Sequence, residues 1–221
     1  MPATATPALT ARAVLLDMDG TIVDSDAAVE RIWRRWAVEH DLDPEAVLRV
    51  VHGRQGHATM AALLPDRPAE QNHADNRVLL ARETADTEGV VPVAGAPAFL
   101  AALSGVPHAL VTSADLALAT ARMAAAGLPM PAVRVTAESV GASKPDPEGF
   151  LKGAAELGYA PGDCVAFEDS EAGIAAARAA GMRVVGVGPR AGAHAPDLAV
   201  ADLTRLSVTV REDGAVGFRA V

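Results

Sequence analysis

Residues 14–21 read Val-Leu-Leu-Asp-Met-Asp-Gly-Thr, an apolar run that ends in two carboxylates and a glycine. Alternate side chains of an extended chain point the same way, so Asp17 and Asp19 can face one spot at the end of a strand. Two close carboxylates repel each other unless a positive group lies between them, and Mg2+ prefers oxygen ligands. An acidic turn after a buried strand is the alternative interpretation of this short pattern.

The composition fits one large core, or one core with a smaller insertion, because half of the 221 residues are apolar. The net charge of −9 argues against nucleic acid as a partner, since phosphate backbones would be repelled. A small phosphorylated substrate stays compatible with this charge, because a local field can oppose the global one. The single cysteine, Cys164, excludes an internal disulfide and fits a reducing compartment, and its apolar neighbours predict a core position.

The sequence predicts a cytoplasmic protein without a membrane anchor. No apolar run is long enough to cross a bilayer. Residues 1–10 are rich in Ala, Thr and Pro and lack the basic region and long apolar core of a signal peptide, so we expect a loose tail. The sequence leaves open whether the protein is a monomer or a homodimer.

An all-helical insertion is predicted over residues 25–91. Helix starts are indicated at Asp43-Pro44, with an end near residues 52–53, and more weakly near Gly56. The first helix has an apolar face with helical spacing, formed by Val29, Ile32, Trp33 and Trp36. The last helix, over residues 69–87, is long and polar, and its expected apolar points are Val78, Leu79 and Ala81.

Elsewhere, short apolar runs alternate with helical segments, which predicts an α/β fold with a doubly wound parallel sheet and right-handed crossovers. The predicted strands cover residues 13–16, 108–111, 132–135, 165–167 and 183–187. The last stretch, residues 207–218, reads as a β-hairpin around Asp213-Gly214. This hairpin is expected to pair at the sheet edge or to form a subunit contact.

Polar residues follow four of the predicted strands or their connecting loops. They are Asp17 with Asp19, Thr112 with Ser113, Lys144, and Glu168 with Asp169. The carboxyl ends of parallel strands share one edge of the sheet, so these groups can converge on one crevice. There, carboxylates from two strands could hold Mg2+, while the lysine, a hydroxyl and the amides that start the next helix could hold phosphate oxygens.

Taken in order, four motifs resemble the haloacid dehalogenase superfamily of phosphotransferases, and the resemblance covers nearly the whole chain. The motifs are Asp17-Met18-Asp19-Gly20-Thr21, Leu110-Val111-Thr112-Ser113, Lys144-Pro145-Asp146-Pro147 and the stretch Phe-Glu-Asp-Ser-Glu-Ala-Gly-Ile at 167–174. The resemblance implies a Rossmann-like core domain at 11–24 and 92–221, with a helical cap domain at 25–91. The last motif and His52-Gly53-Arg54 resemble the branch of sugar- and polyol-phosphate phosphatases, such as the deoxyglucose-phosphate and glycerol-phosphate phosphatases.

The resemblance implies a Mg2+-dependent phosphatase that hydrolyses a small sugar or polyol phosphate through an aspartyl-phosphate. Asp17 would be the nucleophile, and Asp19 would protonate the leaving oxygen and then activate water. Thr112 and the Ser113 amide would bind the phosphoryl oxygens, and Lys144 would offset their charge. Asp169 would complete the Mg2+ site with Asp17 and the Asp19 carbonyl, with Glu168 close by or coordinating through water.

Alternatives remain open for several of these residues. Thr112 and Ser113 could cap the following helix, and Lys144 could be a solvated loop charge. In the cap, His52, Gly53 and Arg54 are expected to reach the substrate, with Arg54 as a clamp, but they could equally form an exposed basic loop. A sugar-phosphate mutase similar to β-phosphoglucomutase, or a binding protein with a silent core, are the rival functions.

Overall fold

The computed structural model describes residues 9–221, and its regular elements are as follows. The strands are β1 Leu9–Ala11, β2 Ala13–Leu16, β3 Val23–Asp24, β4 Val91–Pro92, β5 His108–Val111, β6 Val133–Val135, β7 Cys164–Glu168, β8 Arg183–Val187, β9 Leu198–Val200, β10 Leu206–Val210 and β11 Val216–Ala220. The α-helices are α1 Asp26–Glu39, α2 Pro44–Leu48, α3 Gly56–Leu63, α4 Ala69–Ala85, α5 Ala96–Ala102, α6 Leu116–Ala125, α7 Glu148–Leu157, α8 Glu171–Ala179 and α9 Gly188–Gly192.

A six-stranded parallel sheet forms the centre of the molecule, and it confirms the predicted α/β fold. Its strand order is β6-β5-β2-β7-β8-β9, with the last strand, β9, not predicted from the sequence. In the register of β2, Leu16 pairs with Leu110 of β5 and with Phe167 of β7. The carboxyl ends of these three strands are therefore level, and the residues that follow them lie side by side.

Alternation along β2 places the core on both faces of the sheet. Val14 and Leu16 belong to a cluster with residues of α5 and α6, while Ala13 and Leu15 belong to a cluster with residues of α7 and α8. All four β2 side chains are fully buried. A strand covered on both faces has to be apolar throughout, which explains the uninterrupted run at residues 13–16.

The helices α1 to α4 lie between β3 and β4 and have an apolar cluster of their own, as the predicted helical insertion requires. Its members include Trp33, Trp36, Val47, Met60 and Leu79. The helix over 44–48 is shorter than predicted. The prediction for α4 was partly wrong, because Val78 is 52% exposed and Ala81 is exposed, whereas Asn72 and Glu83 are buried. Asn72 lies seven residues before Leu79 and Glu83 four residues after it, so helical spacing places both on the same face as Leu79. The buried face of α4 therefore contains polar side chains.

The C-terminal hairpin is present, but it does not extend the edge of the central sheet, so that part of the prediction is wrong, while the alternative of a subunit contact stays a prediction. Strand β11 pairs with both β10 and β1, which gives a separate antiparallel sheet of three strands. Phe218 is fully buried, and its ring centroid lies 5.1 Å from that of Phe167. The predicted loose tail is wrong for Leu9 and Thr10, which belong to β1, and residues 1–8 lie outside the described part.

Across residues 9–221, none of the helices combines the length and the apolar character that crossing a bilayer would need.

Candidate active site

Asp17 lies directly beyond the end of the central strand. Its amide donates a hydrogen bond to the Phe167 carbonyl at 3.0 Å, so the sheet pairing continues for one residue after β2. The chain then turns back, because the amides of Thr21, Ile22 and Val23 all donate to the Met18 carbonyl. Asp17 is 6% exposed, and its carboxylate is therefore fixed in a buried position at the carboxyl edge of the sheet.

Lys144 reaches this carboxylate from the loop before α7. Its Nζ donates to Asp17 Oδ1 at 2.6 Å, to Glu168 Oε1 at 2.7 Å and to the Val111 carbonyl at 3.1 Å. The side chain is 7% exposed, which excludes the interpretation as a solvated loop charge. Burial lowers the pKa of Lys144, but Asp17 and Glu168 outweigh burial and raise it, so the ammonium stays charged.

Glu168 ends β7 and is held by donors on both of its oxygens. Oε1 accepts from Lys144, while Oε2 accepts from the amides of Asp169 and Ser170 and from the Ser170 hydroxyl, at 2.9 to 3.0 Å. The residue is fully buried. Both oxygens are taken by neighbours, so Glu168 holds Lys144 in place. Of the two roles that the sequence left open, this contact favours a position close to the Mg2+ site over coordination of the metal through water.

We expect Gly173→Ala to lower kcat roughly 10- to 100-fold, because a methyl group at this position would lie 1.7 Å from Glu168 Oε1 and displace it. Lys144 would then lose one of its two carboxylate partners. Steady-state phosphate release checks this result. Gly192→Ala is the matched control, since it also adds a methyl group to a helical glycine but meets nothing within 4 Å. An unchanged kcat in Gly173→Ala would contradict the positioning role of Glu168.

Asp17, Glu168 and Asp169 form a buried acidic cluster whose carboxylate oxygens lie within 4.8 Å of one another. Burial and the charge of Glu168 raise the pKa of Asp17 and bring that of Asp169 to about 7. Oδ2 of Asp17 and Oδ1 of Asp169 accept no hydrogen bond from the described residues. Asp169 packs closely against the backbone of Gly20, where a Cβ would lie 2.2 Å from its Oδ2. These hard oxygen donors fit a divalent cation.

Arg190, which the sequence analysis missed, is the second cation at this cluster. Its Nε and Nη2 donate to Asp169 Oδ2 at 3.0 and 2.7 Å, and its other contacts are to Asp26 of α1, at 2.7 and 3.1 Å. A signal was available, because Arg190 follows the end of strand β8 just as the other site residues follow theirs.

Asp19 lies beside this cluster and is held by two donors. The Ser25 hydroxyl donates to its Oδ1 at 2.7 Å, and Nη1 of Arg122 donates to its Oδ2 at 2.8 Å. Arg122 is on α6 and is only 4% exposed, with its Nη2 3.4 Å from Glu83 Oε2 of α4. The sequence analysis missed both Arg122 and Glu83. Helical spacing could have shown them, since each lies four residues after a buried leucine, Leu118 or Leu79.

Thr112 and Ser113 follow β5 and do not cap α6, so the capping alternative is wrong, and their binding of phosphate stays a prediction. Asp115 is the helix cap, and its Oδ1 accepts from the Leu118 amide at 2.8 Å. The hydroxyl oxygen of Thr112 accepts from the Ala114 amide at 3.1 Å, so its hydrogen remains available for donation. The helix amides were predicted to help bind phosphate, but the Leu116 amide is already paired with Glu138, as that of Leu118 is with Asp115.

The loop after α2 contacts the core at the mouth of the site. The Ser113 hydroxyl donates to the Gly53 carbonyl at 3.1 Å, and the Gln55 amide donates to the Ser143 hydroxyl at 2.9 Å. Gly53 has a φ of +79°, and a Cβ there would lie 2.1 Å from Ser170 Oγ, so only glycine permits this close approach. Arg54 is exposed, while His52 is partly buried and burial, followed by Arg190, lowers its pKa.

A cleft joins these groups between the sheet edge and the helical insertion. It brings together the two aspartates of the first motif, the hydroxyl residues of the second and the loop after α2. The predicted residues that line it are Asp17, Asp19, His52, Gly53, Arg54, Thr112 and Ser113. Lys144, Glu168 and Asp169 lie behind Asp17, in contact with it or within its acidic cluster. The fold and this cleft define a class of α/β protein with a buried aspartate at the end of its central strand, on the sheet edge where parallel sheets bind ligands.

Comparisons with known proteins agree with that class. Residues 11–181 match the haloacid dehalogenase-like hydrolase family. Hexitol phosphatase A of Escherichia coli is 41% identical over 91% of this chain and 96% of its own. Glycerol-1-phosphate phosphohydrolase 2 of Saccharomyces cerevisiae is 32% identical over 81% of this chain and 75% of its own. A β-phosphoglucomutase from Clostridium difficile superposes with a TM-score of 0.74 at 20% identity, covering 89% of this chain and 93% of its own.

The chain belongs to the haloacid dehalogenase-like hydrolases, and within that family it is similar to phosphatases named for sugar and polyol phosphates. It is a hydrolase of phosphoric monoesters. The resemblance found in the four sequence motifs is thereby confirmed.

Proposed function

We propose that the protein is a Mg2+-dependent phosphatase that hydrolyses a small sugar or polyol phosphate through an aspartyl-phosphate. The observation that carries this proposal is the contact of Lys144 with Asp17 and Glu168, in a buried cluster that also contains Asp169. A lysine buried between carboxylates can neutralise charge at a reacting phosphoryl group, which is the main task in phosphoryl transfer. The names of the two curated relatives support the substrate class.

In the proposed first step, one carboxylate oxygen of Asp17 attacks the phosphorus atom. A bond forms between this oxygen and phosphorus while the ester bond from phosphorus to the leaving oxygen breaks. Asp19 gives its proton to that oxygen, so that a neutral alcohol leaves. Lys144 keeps its contact with Oδ1 and thereby fixes the direction of attack. The Thr112 hydroxyl and the Ser113 amide donate to the phosphoryl oxygens.

In the second step, Asp19 takes a proton from water, and the water oxygen attacks the phosphorus. The bond between Asp17 and phosphorus breaks, and inorganic phosphate is released with both aspartates regenerated. Ser25 and Arg122 hold the Asp19 carboxylate during both transfers. Mg2+, held by Asp17, Asp169 and the Asp19 carbonyl, would supply the remaining positive charge for the phosphoryl oxygens.

The proposal includes residues 11–24 and 92–221 as the core domain and residues 25–91 as its cap. The two segments that connect the core to the cap lie side by side, because Val23–Asp24 pairs with Val91–Pro92 in a short antiparallel ribbon. Two adjacent connecting segments of this kind allow the helical cap to pivot as a unit over the cleft. His52, Gly53 and Arg54 would then open and close the mouth of the site, with Arg54 as a contact for the substrate.

A cytoplasmic location, a small phosphorylated substrate and a monomeric or homodimeric state belong to the same proposal. The net charge of −9 and the single cysteine support it. The β-phosphoglucomutase resemblance supports only the shared fold, because the identity is 20%. A mutase remains the rival function, and its product distinguishes it, because a mutase returns an isomerised sugar phosphate instead of free phosphate.

A phosphate-release screen over sugar, polyol and nucleotide monophosphates, with Mg2+ or with a chelator, tests the proposal. We expect release from sugar or polyol phosphates, loss of release on chelation and recovery when Mg2+ is restored. Product analysis by NMR accompanies the screen. Isomerised sugar phosphate without free phosphate would establish the mutase. If no ester released phosphate with Mg2+ present, the result would favour a binding protein without catalytic activity.

A further inference from the structure

A buried arginine with unused hydrogen-bond donors lies beside Asp19. Arg122 is 4% exposed, and its Nη1 donates to Asp19. Its Nε and Nη2 are buried and have no hydrogen-bond partner within residues 9–221. A guanidinium group has five N–H donors, and a buried donor without a partner is costly. Arg122 therefore has the capacity to bind a further oxygen atom in the cleft that it lines.

Glu83 brings a carboxylate from the helical insertion to the same place. It is 6% exposed and lies 3.4 Å from Nη2 of Arg122, which is too loose for a strong hydrogen bond. Burial raises the pKa of Glu83 to about 7, against the lowering effect of Arg122, and Asp19 and Asp115 raise it further. A carboxylate this poorly solvated gains from any hydroxyl group that donates to it.

Asn76 adds a third polar group with an unused atom. Its Oδ1 is buried and lacks a hydrogen-bond partner in the part of the chain that the structure describes. It lies seven residues before Glu83 on α4, so both side chains belong to one face of that helix. Trp33, Leu79 and Leu118 also line the cleft. Polar groups therefore stand at a few positions within an otherwise apolar wall, an arrangement typical of small-molecule sites.

We propose that Arg122, Glu83 and Asn76 form a subsite that binds hydroxyl groups of the leaving group. This inference rests on the proposed phosphatase function and adds the residues that select its sugar or polyol phosphate. One substrate hydroxyl donates to Glu83 while its oxygen accepts from Arg122, and a second hydroxyl, further along the leaving group, donates to Asn76 Oδ1. The guanidinium group of Arg122 contacts both Asp19 and Glu83. A substrate hydroxyl close to the ester oxygen can therefore reach the subsite while Asp19 faces the ester oxygen.

The alternative is that Arg122 and Glu83 only hold α6 and α4 together. A purely structural contact would affect every ester alike, whereas a hydroxyl subsite discriminates between esters that have free hydroxyls and those that lack them. Glycerol 1-phosphate and propyl phosphate are the matched probes, because they share a three-carbon chain and differ in the hydroxyls.

The experiment measures kcat/KM for both esters in the wild type, Glu83→Leu and Glu83→Gln, with Mg2+ present. The wild type should prefer glycerol 1-phosphate, and Glu83→Leu should reduce this preference roughly 10- to 100-fold, the effect of a lost hydrogen bond to a charged group. Its kcat/KM for propyl phosphate should fall by a smaller factor than its kcat/KM for glycerol 1-phosphate. Glu83→Gln, which keeps one acceptor oxygen, should give an intermediate preference. Glu70→Gln, an exposed position on the same helix, should match the wild type.

Circular dichroism verifies that each variant is folded, and Glu83→Gln decides the matter if the leucine variant does not fold. An equal loss for both esters, or an unchanged preference, would overturn the subsite and leave the phosphatase function standing. If the wild type released phosphate from neither these esters nor any other sugar or polyol phosphate, the proposed function would fail first, and the subsite with it.

Discussion

Asp17→Asn should abolish turnover while leaving the fold intact, with kcat lowered roughly 10⁴-fold or more. The amide has nearly the same shape as the carboxylate, so the contacts at the end of β2 are kept, but its oxygen is a poor nucleophile for phosphorus. Steady-state phosphate release measures the loss. Acid-quenched wild-type enzyme should also carry one phosphoryl group on the peptide that contains Asp17, as seen by mass spectrometry, and the variant should not.

Asp66→Asn is the matched control, because it makes the same change at an exposed loop position outside the site. This control should retain wild-type activity. Wild-type phosphate release by Asp17→Asn would show that another residue is the nucleophile. A phosphorylated peptide from elsewhere in the chain would lead to the same conclusion.

Lys144→Met should lower kcat/KM about 10³-fold, since the change removes the preorganised positive charge at Asp17. It should also destabilise the metal-free protein, by about 3 kcal/mol, because Asp17 and Glu168 would remain buried without their shared cation. Part of this loss should return when Mg2+ is added, because the metal replaces some of the missing charge. Phosphate release and urea unfolding, each with and without Mg2+, measure the two effects.

Lys152→Met tests whether the effect belongs to the site. This lysine lies one turn into α7 and donates to the Ser139 carbonyl at 2.7 Å, away from the acidic cluster. Its loss should leave kcat/KM unchanged. Lys144→Arg should not restore activity, because a planar guanidinium group cannot replace a compact ammonium between Asp17 and Glu168. Full activity in either Lys144 variant would refute the charge-neutralising role.

The sequence was most informative where one physical requirement governs a whole segment. A strand covered on both faces must be apolar, and this alone located β2, β5, β7 and β8. Because parallel strands end at a common edge, the sequence also predicted that the motif residues belong to one site. The contact of Lys144 with Asp17 joins residues that are 127 positions apart and agrees with that expectation.

Positions that depend on contacts between segments were harder to predict. The apolar points chosen for α4 were partly wrong, because the inward face of that helix carries Asn72 and Glu83. The hairpin near residue 213 was recognised from its turn, but nothing local indicated that β11 would pair with β1. Arg190 and Arg122 were overlooked for the same reason, since their importance comes from carboxylates on other elements.

By itself, the sequence determined the α/β fold, the helical insertion and the motifs that supply the aspartates, hydroxyls and lysine. These follow from hydrophobic periodicity and from the chemistry of short segments, which a chain specifies locally. Only the tertiary structure decided which oxygens remain free, that Glu168 is fully engaged by its neighbours, and that Arg122 and Glu83 meet beside Asp19. Charge pairing and unsatisfied donors depend on distances between remote segments, and those distances exist only once the chain has folded.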